Sequence, residues 1–526
     1  MNDVVLTLPR RIIPRWRDFA TTAALGEIDP IRPSAPPQAL PTDLVRIKEI
    51  WTKFKSPLTA GELLAAGLIE KDWDAVVSAA TYLMRDDVEA PAFSREVAKH
   101  ALQWSNAGES FPTNPSTAET AILFDKRIIG AIRRSLRNFQ HDPIHWIELA
   151  LGYAIIGKHD KAYRAVMAAI QLAPNDRFVL RCASRFLVHR QQFDRAADLI
   201  GRASRTPTDS WLLAAHIAVS EILEKPSRFY RRAKEAFASS DISPLHLSEL
   251  GTALATAELY AGNDKHAKRL FRAALVSPTE NALAQALWAQ NYLVIEQSNN
   301  LLKLPRTFEA NARVLVQTEQ WDNALKATHC WHEDEPFSAR PAMLGSFIAA
   351  SAQQDFKLAE QIAKRGLIAN PHNPTLRNNL AFAQGCAGQV KAAVSTLGQV
   401  RVDEPTAQQR VALTATAGLI AFRSGDPELG RQRYLEAMQL AKSEELQLEI
   451  SLVAIHLARE ELRADSLHLS DSLSIVREAL TDFSAPSVRL ALSKLNEDLK
   501  TKSHLPLAAP EKKPHRTNFQ PALIKS

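Results

Sequence analysis

Three prolines close successive segments of this chain at nearly constant spacing: Pro336, Pro371 and Pro405 lie 35 and 34 residues apart. The segment between the last two, PTLRNNLAFAQGCAGQVKAAVSTLGQVRVDEP, shows what repeats. Apolar residues recur at helical spacing over Thr375–Ala387 and again over Val390–Val400, and Gly388 stands where the chain must reverse. Ala381 and Ala393 are small where two helices would cross, and Leu380, Leu397 and Val400 are large beside them. A helical hairpin of this kind has an apolar face that only a neighbour can cover. The pattern therefore predicts hairpins stacked in chain order around a continuous core.

Similar units are legible on both sides. PIHWIELALGYAIIGKHDKAYRAVMAAIQLAP carries Trp146, Leu149, Ala150 and Tyr153 on a first helix and Ala162, Val166 and Ala169 on a second. Gly157 makes its turn and Pro174 closes it. Ala162 to Ala196 and Ala169 to Ala203 are each 34 residues apart, which starts the next unit. Others run from Trp211 (interrupted at Lys225-Pro226), from Ser248 to Pro278, from Arg306 to Pro336, from Arg340 to Pro371 and from Val411 to Lys442. In length and in the placing of bulky, small and closing residues, these units resemble the tetratricopeptide repeat (TPR), a helix–turn–helix of about 34 residues. The resemblance covers residues 143–442 and implies an all-α solenoid of antiparallel hairpins, with a function in binding proteins.

The remainder divides by composition. Residues 1–56 begin with the basic run PRRIIPRWRD and continue into PIRPSAPPQALP, where prolines at 30, 33, 36, 37 and 41 keep that part extended, as a linker or a strap along the surface. Residues 57–142 read as degenerate repeats or capping helices, with Thr59/Glu62 and Ser116/Glu119 spaced as capping boxes and Trp73 opening a helix. Residues 443–500 stay helical without the period, as a terminal cap does. The tail 501–526 is proline-bearing and basic, a composition that stays disordered. Cys182, Cys330 and Cys386 lie far apart in helical patterns, and no apolar run approaches a membrane span. These features predict a reducing, cytoplasmic setting with no membrane association.

The TPR resemblance further implies that the first helix of each hairpin lines an inner groove. On this sequence it points to Ile147 and Leu151 as an apolar strip, Arg181, Arg185 and His189 as a basic ridge, and Arg306, Arg313, Asn378 and Phe382 farther along. Such a lining suits a protein or peptide partner bearing hydrophobic anchors and carboxylates. The other outcome is that the strip packs on the N-terminal helices and the arginines face solvent. The TPR clamp for a chaperone tail needs basic residues and Asn in three consecutive units. Asn379 could supply one member, but Gln409 and Leu413 stand where basic residues belong.

Motifs for chemistry are weak. Gly152-Tyr-Ala-Ile-Ile-Gly157-Lys158 spells most of a phosphate loop, but its first glycine falls inside a helix and His159 replaces the magnesium-binding hydroxyl. His329, Cys330, His332 and Glu333 could share a helix face, with Cys330 and Trp331 turned to the core and the rest to water. Neither pattern predicts a cofactor or metal, and no pair of carboxylates is arranged for catalysis. The clusters Arg133-Arg134-Ser-Leu-Arg137 and Arg228-Phe-Tyr-Arg231-Arg232 admit nucleic acid as an alternative ligand, or else form solvated faces. The expectation is a non-catalytic interaction scaffold or adaptor; the alternative is a regulatory or sensor subunit responding to a ligand or nucleic acid.

Overall fold

The computed structural model describes residues 10–16, 44–102, 129–137, 140–239, 242–295, 301–302, 304, 306–401, 405–480 and 485–502, apart from positions 71, 91–93, 96, 100, 131 and 135. The Ser116/Glu119 box, residues 17–43 and the tail beyond Lys502 lie outside them. The described residues are helical and contain no strand. They belong to two compact units, residues 1–16 with 122–239 and 244–526, and residues 17–121 with 240–243.

The smaller unit holds α1 (Leu44–Lys53), α2 (Pro57–Glu70) and α3 (Trp73–Leu83) around Trp51, Leu63, Leu64, Val76 and Leu83. Asp72 caps α3 by accepting from the Ala75 N–H. The predicted Thr59/Glu62 box is replaced by a start two residues earlier. Ser56 and Thr59 exchange backbone and hydroxyl hydrogen bonds instead (3.0 and 3.2 Å), because Pro57 fits the first turn of a helix.

The larger unit is the expected TPR-like stack. Its hairpins are α4/α5 (Pro143–Ile155, His159–Leu172), α6/α7 (Arg177–His189, Phe193–Arg202), α8/α9 (Ser210–Ile222, Tyr230–Ala238) and α10/α11 (Pro244–Tyr260, Asp264–Ala274). Helix α12 (Glu280–Ala289) comes next, followed by α13/α14 (Phe308–Gln317, Trp321–Asp334), α15/α16 (Ala339–Ser351, Phe356–Ala369) and α17/α18 (Pro374–Cys386, Val390–Gly398). The series ends with α19/α20 (Ala407–Arg423, Pro427–Ser443), α21/α22 (Gln447–Arg463, Leu469–Ala479) and a closing helix α23 (Pro486–Thr501). Each first helix packs on its own partner, and most pack on the first helix of the next hairpin as well. Ala162, Ala196, Ala381 and Ala393 are fully buried at the crossings. Where the sequence showed no unit, between Pro278 and Arg306, α12 occupies a place in the stack.

The stack also curls back on itself. The α4/α5 hairpin meets α16, some two hundred residues later in the chain. Gly157, at φ +69°, sits so close to the Ile368 carbonyl that a Cβ there would collide with it. Gly388 has a similar φ of +76° with open space around it. The left-handed conformation costs a non-glycine residue roughly 1–2 kcal/mol. Gly388→Ala should show only that cost, whereas Gly157→Ala should also part the α5/α16 seam and lose clearly more. Equal losses in thermal melting would mean that the seam contributes nothing.

Candidate functional site

Residues 10–16 run along the first helices of the larger unit without helix or strand of their own. Pro14 and the preceding Ile13 favour this extended form. The segment is held at its backbone and at its side chains. The Arg10 carbonyl accepts from Gln285 Nε2 (2.9 Å) and the Ile13 carbonyl from Asn281 Nδ2 (3.0 Å). The Arg10 guanidinium donates to Glu309 (3.0 Å), Gln285 Oε1 (2.6 Å) and Asn281 Oδ1 (2.6 Å). Arg15 donates to Glu309 (3.1 Å) and Asp334 (3.4 Å) and lies 3.8 Å from Glu335. Ile12 is buried in the cluster containing Leu213, Ile217, Leu250 and Leu283. Trp16 is buried against Phe186 and Phe337, with ring centres at 6.1 and 5.5 Å. Arg11 lies over the Tyr260 ring.

Glu309, on α13, is the centre of this arrangement. It is 1 % exposed and receives Arg10, Arg15, Arg313 (3.0 Å) and Arg340 (2.8 Å). Burial alone would raise its carboxyl pKa, but Arg10, Arg340, Arg313 and Arg15 together hold it well below the usual range. Burial, with Arg340 and Arg10 adding repulsion, brings the Arg313 guanidinium down to about 9 despite its bond to Glu309. Four arginines thus converge on one buried carboxylate. Buried carboxylates of the wall receive arginines of the chain's own strap, whereas the sequence pointed to arginines awaiting carboxylates.

The residues singled out from the sequence fall into three groups. Arg181, Arg185, His189, Arg306 and Arg313 adjoin the strap. Arg181 bonds Glu249 (3.1 Å), which also contacts Asn281, and lies over Trp211. Arg185 lies over Phe337, 4.7 Å from the ring centre, and His189 meets the same ring edge-on. Arg306 bonds Asp334 (2.9 Å). The second group, Ile147 and Leu151, is buried in the core that contains Ile129, Leu136 and Trp16. The strip therefore packs against N-terminal residues of the unit. The third group is separate from the strap: Asn378 is buried on α17, and Phe382 meets His456 edge-on at 5.8 Å.

Sequence reasoning missed Glu249, Asn281, Gln285, Asp334, Glu335 and Arg340. A signal existed for two of them. Asn281 and Gln285 stand four residues apart on a helix otherwise rich in Ala, Leu and Trp, where buried amides need partners.

The other candidates separate as well. Gly152 packs against Ile129, which accounts for it without a phosphate. His329 faces Glu333 at 3.5 Å, but His332 turns inward and is buried, contrary to the expectation that it meets water. Arg231 and Arg232 pair with Glu235, and Arg228 donates to the Gly201 carbonyl. Arg133, Arg134 and Arg137 are exposed. Among the described residues, no helix is long and apolar enough to cross a membrane.

No family model and no curated protein matches this chain. Among solved structures, "Crystal Structure of the Yeast Tom70" aligns at 12% identity over 85% of this chain and 96% of that one, TM-score 0.30. "Crystal structure of APC/C hetero-tetramer Cut9-Hcn1" aligns at 11% identity over 87% and 86%, TM-score 0.38. "Human IFIT1 dimer with PPP-AAAA" aligns at 13% identity over 88% and 94%, TM-score 0.32. Likenesses this distant assign neither partner nor activity, and the fold stands on the stacked hairpins themselves.

Proposed function

We propose that this chain is a non-catalytic interaction scaffold that docks protein partners by seating extended segments on the inner face of its hairpin stack. One observation carries the reading: that face already seats an extended segment, residues 10–16. Wall amides bond two of its backbone carbonyls, wall carboxylates receive two of its arginines, and apolar pockets take Ile12 and Trp16. Backbone pairing with side-chain pockets is how extended peptides are recognised generally. Arg181, Arg185 and His189 border the seat and are the partner-facing residues of this reading, with Phe382 on a separate part of the same series of first helices.

Affinity capture from source-cell extract tests it, comparing wild type with Arg181→Ala/Arg185→Ala on the inner face and Arg231→Ala/Arg232→Ala on an outer helix. Glu249 keeps a contact with Asn281 in the first variant, so it is not left bare. The inner pair should lose a subset of partners about tenfold, equivalent to roughly 1.4 kcal/mol, while the outer pair retains them. Equal recovery by all three proteins, with unchanged melting, would retire the inner-face assignment.

A further inference from the structure

We infer that residues 10–16 are a replaceable plug, and that the seat beneath them takes an extended partner segment of the same chemistry: two arginines about five residues apart, an aliphatic residue between them and an aromatic residue after the second. The inference rests on the scaffold reading and names the kind of segment that the inner face selects.

Replaceability follows from how charge is distributed between strap and wall. Each wall carboxylate that receives the strap has another partner in the wall. Glu309 keeps Arg313 and Arg340, Asp334 keeps Arg306, and Glu335 keeps the Trp331 indole N–H (2.7 Å). Gln285 keeps the Thr256 hydroxyl (2.8 Å) and Asn281 keeps Glu249 (3.4 Å). Lifting the strap out therefore strands no wall ion in a dry interior, the situation that makes breaking a buried pair so costly. The strap's own arginines pass into water.

The fit of the strap is also imperfect at its aromatic end. Trp16 Nε1 is buried with no acceptor among the described residues, so the described wall does not use the one polar atom that distinguishes tryptophan from phenylalanine. The pocket thus reads an aromatic ring, not this particular residue.

An exit is built next to that ring. Trp16, Phe337, His189 and His159 touch in series, with ring centres at 5.5, 5.0 and 5.2 Å. His159 opens α5, the helix that follows Gly157 at the α5/α16 seam. Emptying the Trp16 pocket removes a packing partner from Phe337, which itself packs on His189. The strap is tethered to the site it fills, so it holds an effective concentration that a free competitor must exceed. A partner segment accordingly binds well only when the strap is weakened or displaced.

The test uses the full-length chain carrying Arg10→Ser, Ile12→Ser, Arg15→Ser and Trp16→Ser, and a fluorescein-labelled peptide with the sequence LTLPRRIIPRWRD. Anisotropy should show the peptide binding this variant at least about tenfold more tightly than wild type, whose seat is filled. A peptide bearing Arg10→Glu and Arg15→Glu should not bind, and one bearing Trp16→Phe should bind comparably. The inference is overturned if the variant keeps its helical circular dichroism and cooperative melting yet does not bind the peptide, or if wild type and variant bind it alike. Loss of the helical signal in the variant overturns it too, since the strap would then be a fixed strut. Inner-face-dependent capture of partners would survive any of these failures, which keeps the two readings separable.

Discussion

Replacing Glu309 by glutamine should destabilise the protein by about 3–5 kcal/mol, the range for removing one partner of a buried ion pair. Glutamine has nearly the same shape, so the loss reports charge and not volume. Four guanidinium groups lean on this carboxylate, and the side chains of Arg10, Arg15 and Arg313 are at most 4 % exposed. Water cannot screen what remains. Arg15 retains Asp334 and Arg340 is partly open to solvent, but Arg10 and Arg313 both lose the buried carboxylate they share. Adding Arg313→Met to the glutamine variant removes a guanidinium that bonds Glu309 and should cost less than it does in wild type, a coupling that two independent sites would not show. Denaturant midpoints for wild type, both single variants and the double variant measure it. A loss below about 1 kcal/mol, as for an exposed pair, would mean that solvent reaches Glu309.

The stack was legible because its signals are local. Alanines at crossings, glycines at turns and prolines at exits recur within about 34 residues, and each does the same steric work in every unit. The helix α12 escaped because ENALAQALWA has neither a closing glycine nor a proline and is apolar on nearly all sides, which reads as burial without phase. The run PRRIIPRWRD was legible as basic, and the extended reading rested on the prolines at 30–41, outside the described residues; neither placed residues 10–16 along the first helices. The strap's bonds span separations of 249 to 319 residues, and no short-range pattern encodes such pairings. The same gap hid the carboxylates that meet the arginines of residues 10–16. Arg181 and Arg185 stand four residues apart on α6. Their charge is met by Glu249 and by the faces of Trp211 and Phe337, contributed from α10, α8 and the loop after α14. A single helix's pattern shows which side chains share a face, not what other helices bring to it.

Acid should weaken this fold well before its carboxylates are protonated. His332 and His216 are buried, and burial, with Arg365 and His329 near the first and Arg228 near the second, lowers their pKa values to about 3 and about 4. His332 Nδ1 has no partner, and His216 Nδ1 meets the hydroxyls of Ser227 and Ser220 at 2.9 and 3.2 Å. Both rings are thus held neutral in the folded protein, while in the unfolded chain each protonates near 6.5. The sign follows from proton uptake. Above pH 6.5 neither state binds the proton and nothing is lost. As pH falls below 6.5 the unfolded chain gains protons that the folded one refuses, and stability declines. At 1.36 kcal/mol for each pKa unit, two such histidines cost about 5 kcal/mol by pH 4.5, comparable with the whole stability of a modest domain. Glu309 and Glu335, whose folded pKa values are lowered, add a loss of the same sign, but only as pH drops through the carboxylate range below it. Urea midpoints at pH 7.5, 6.0 and 5.0 isolate the histidine part. His332→Phe should flatten the curve only in part, because the phenyl ring takes up no proton in either state while His216, His189 and His456, whose pKa values burial also lowers, keep their contributions. A midpoint unchanged between pH 7.5 and 5.0 would show that both rings accept protons in place, and the burial argument for them would fall.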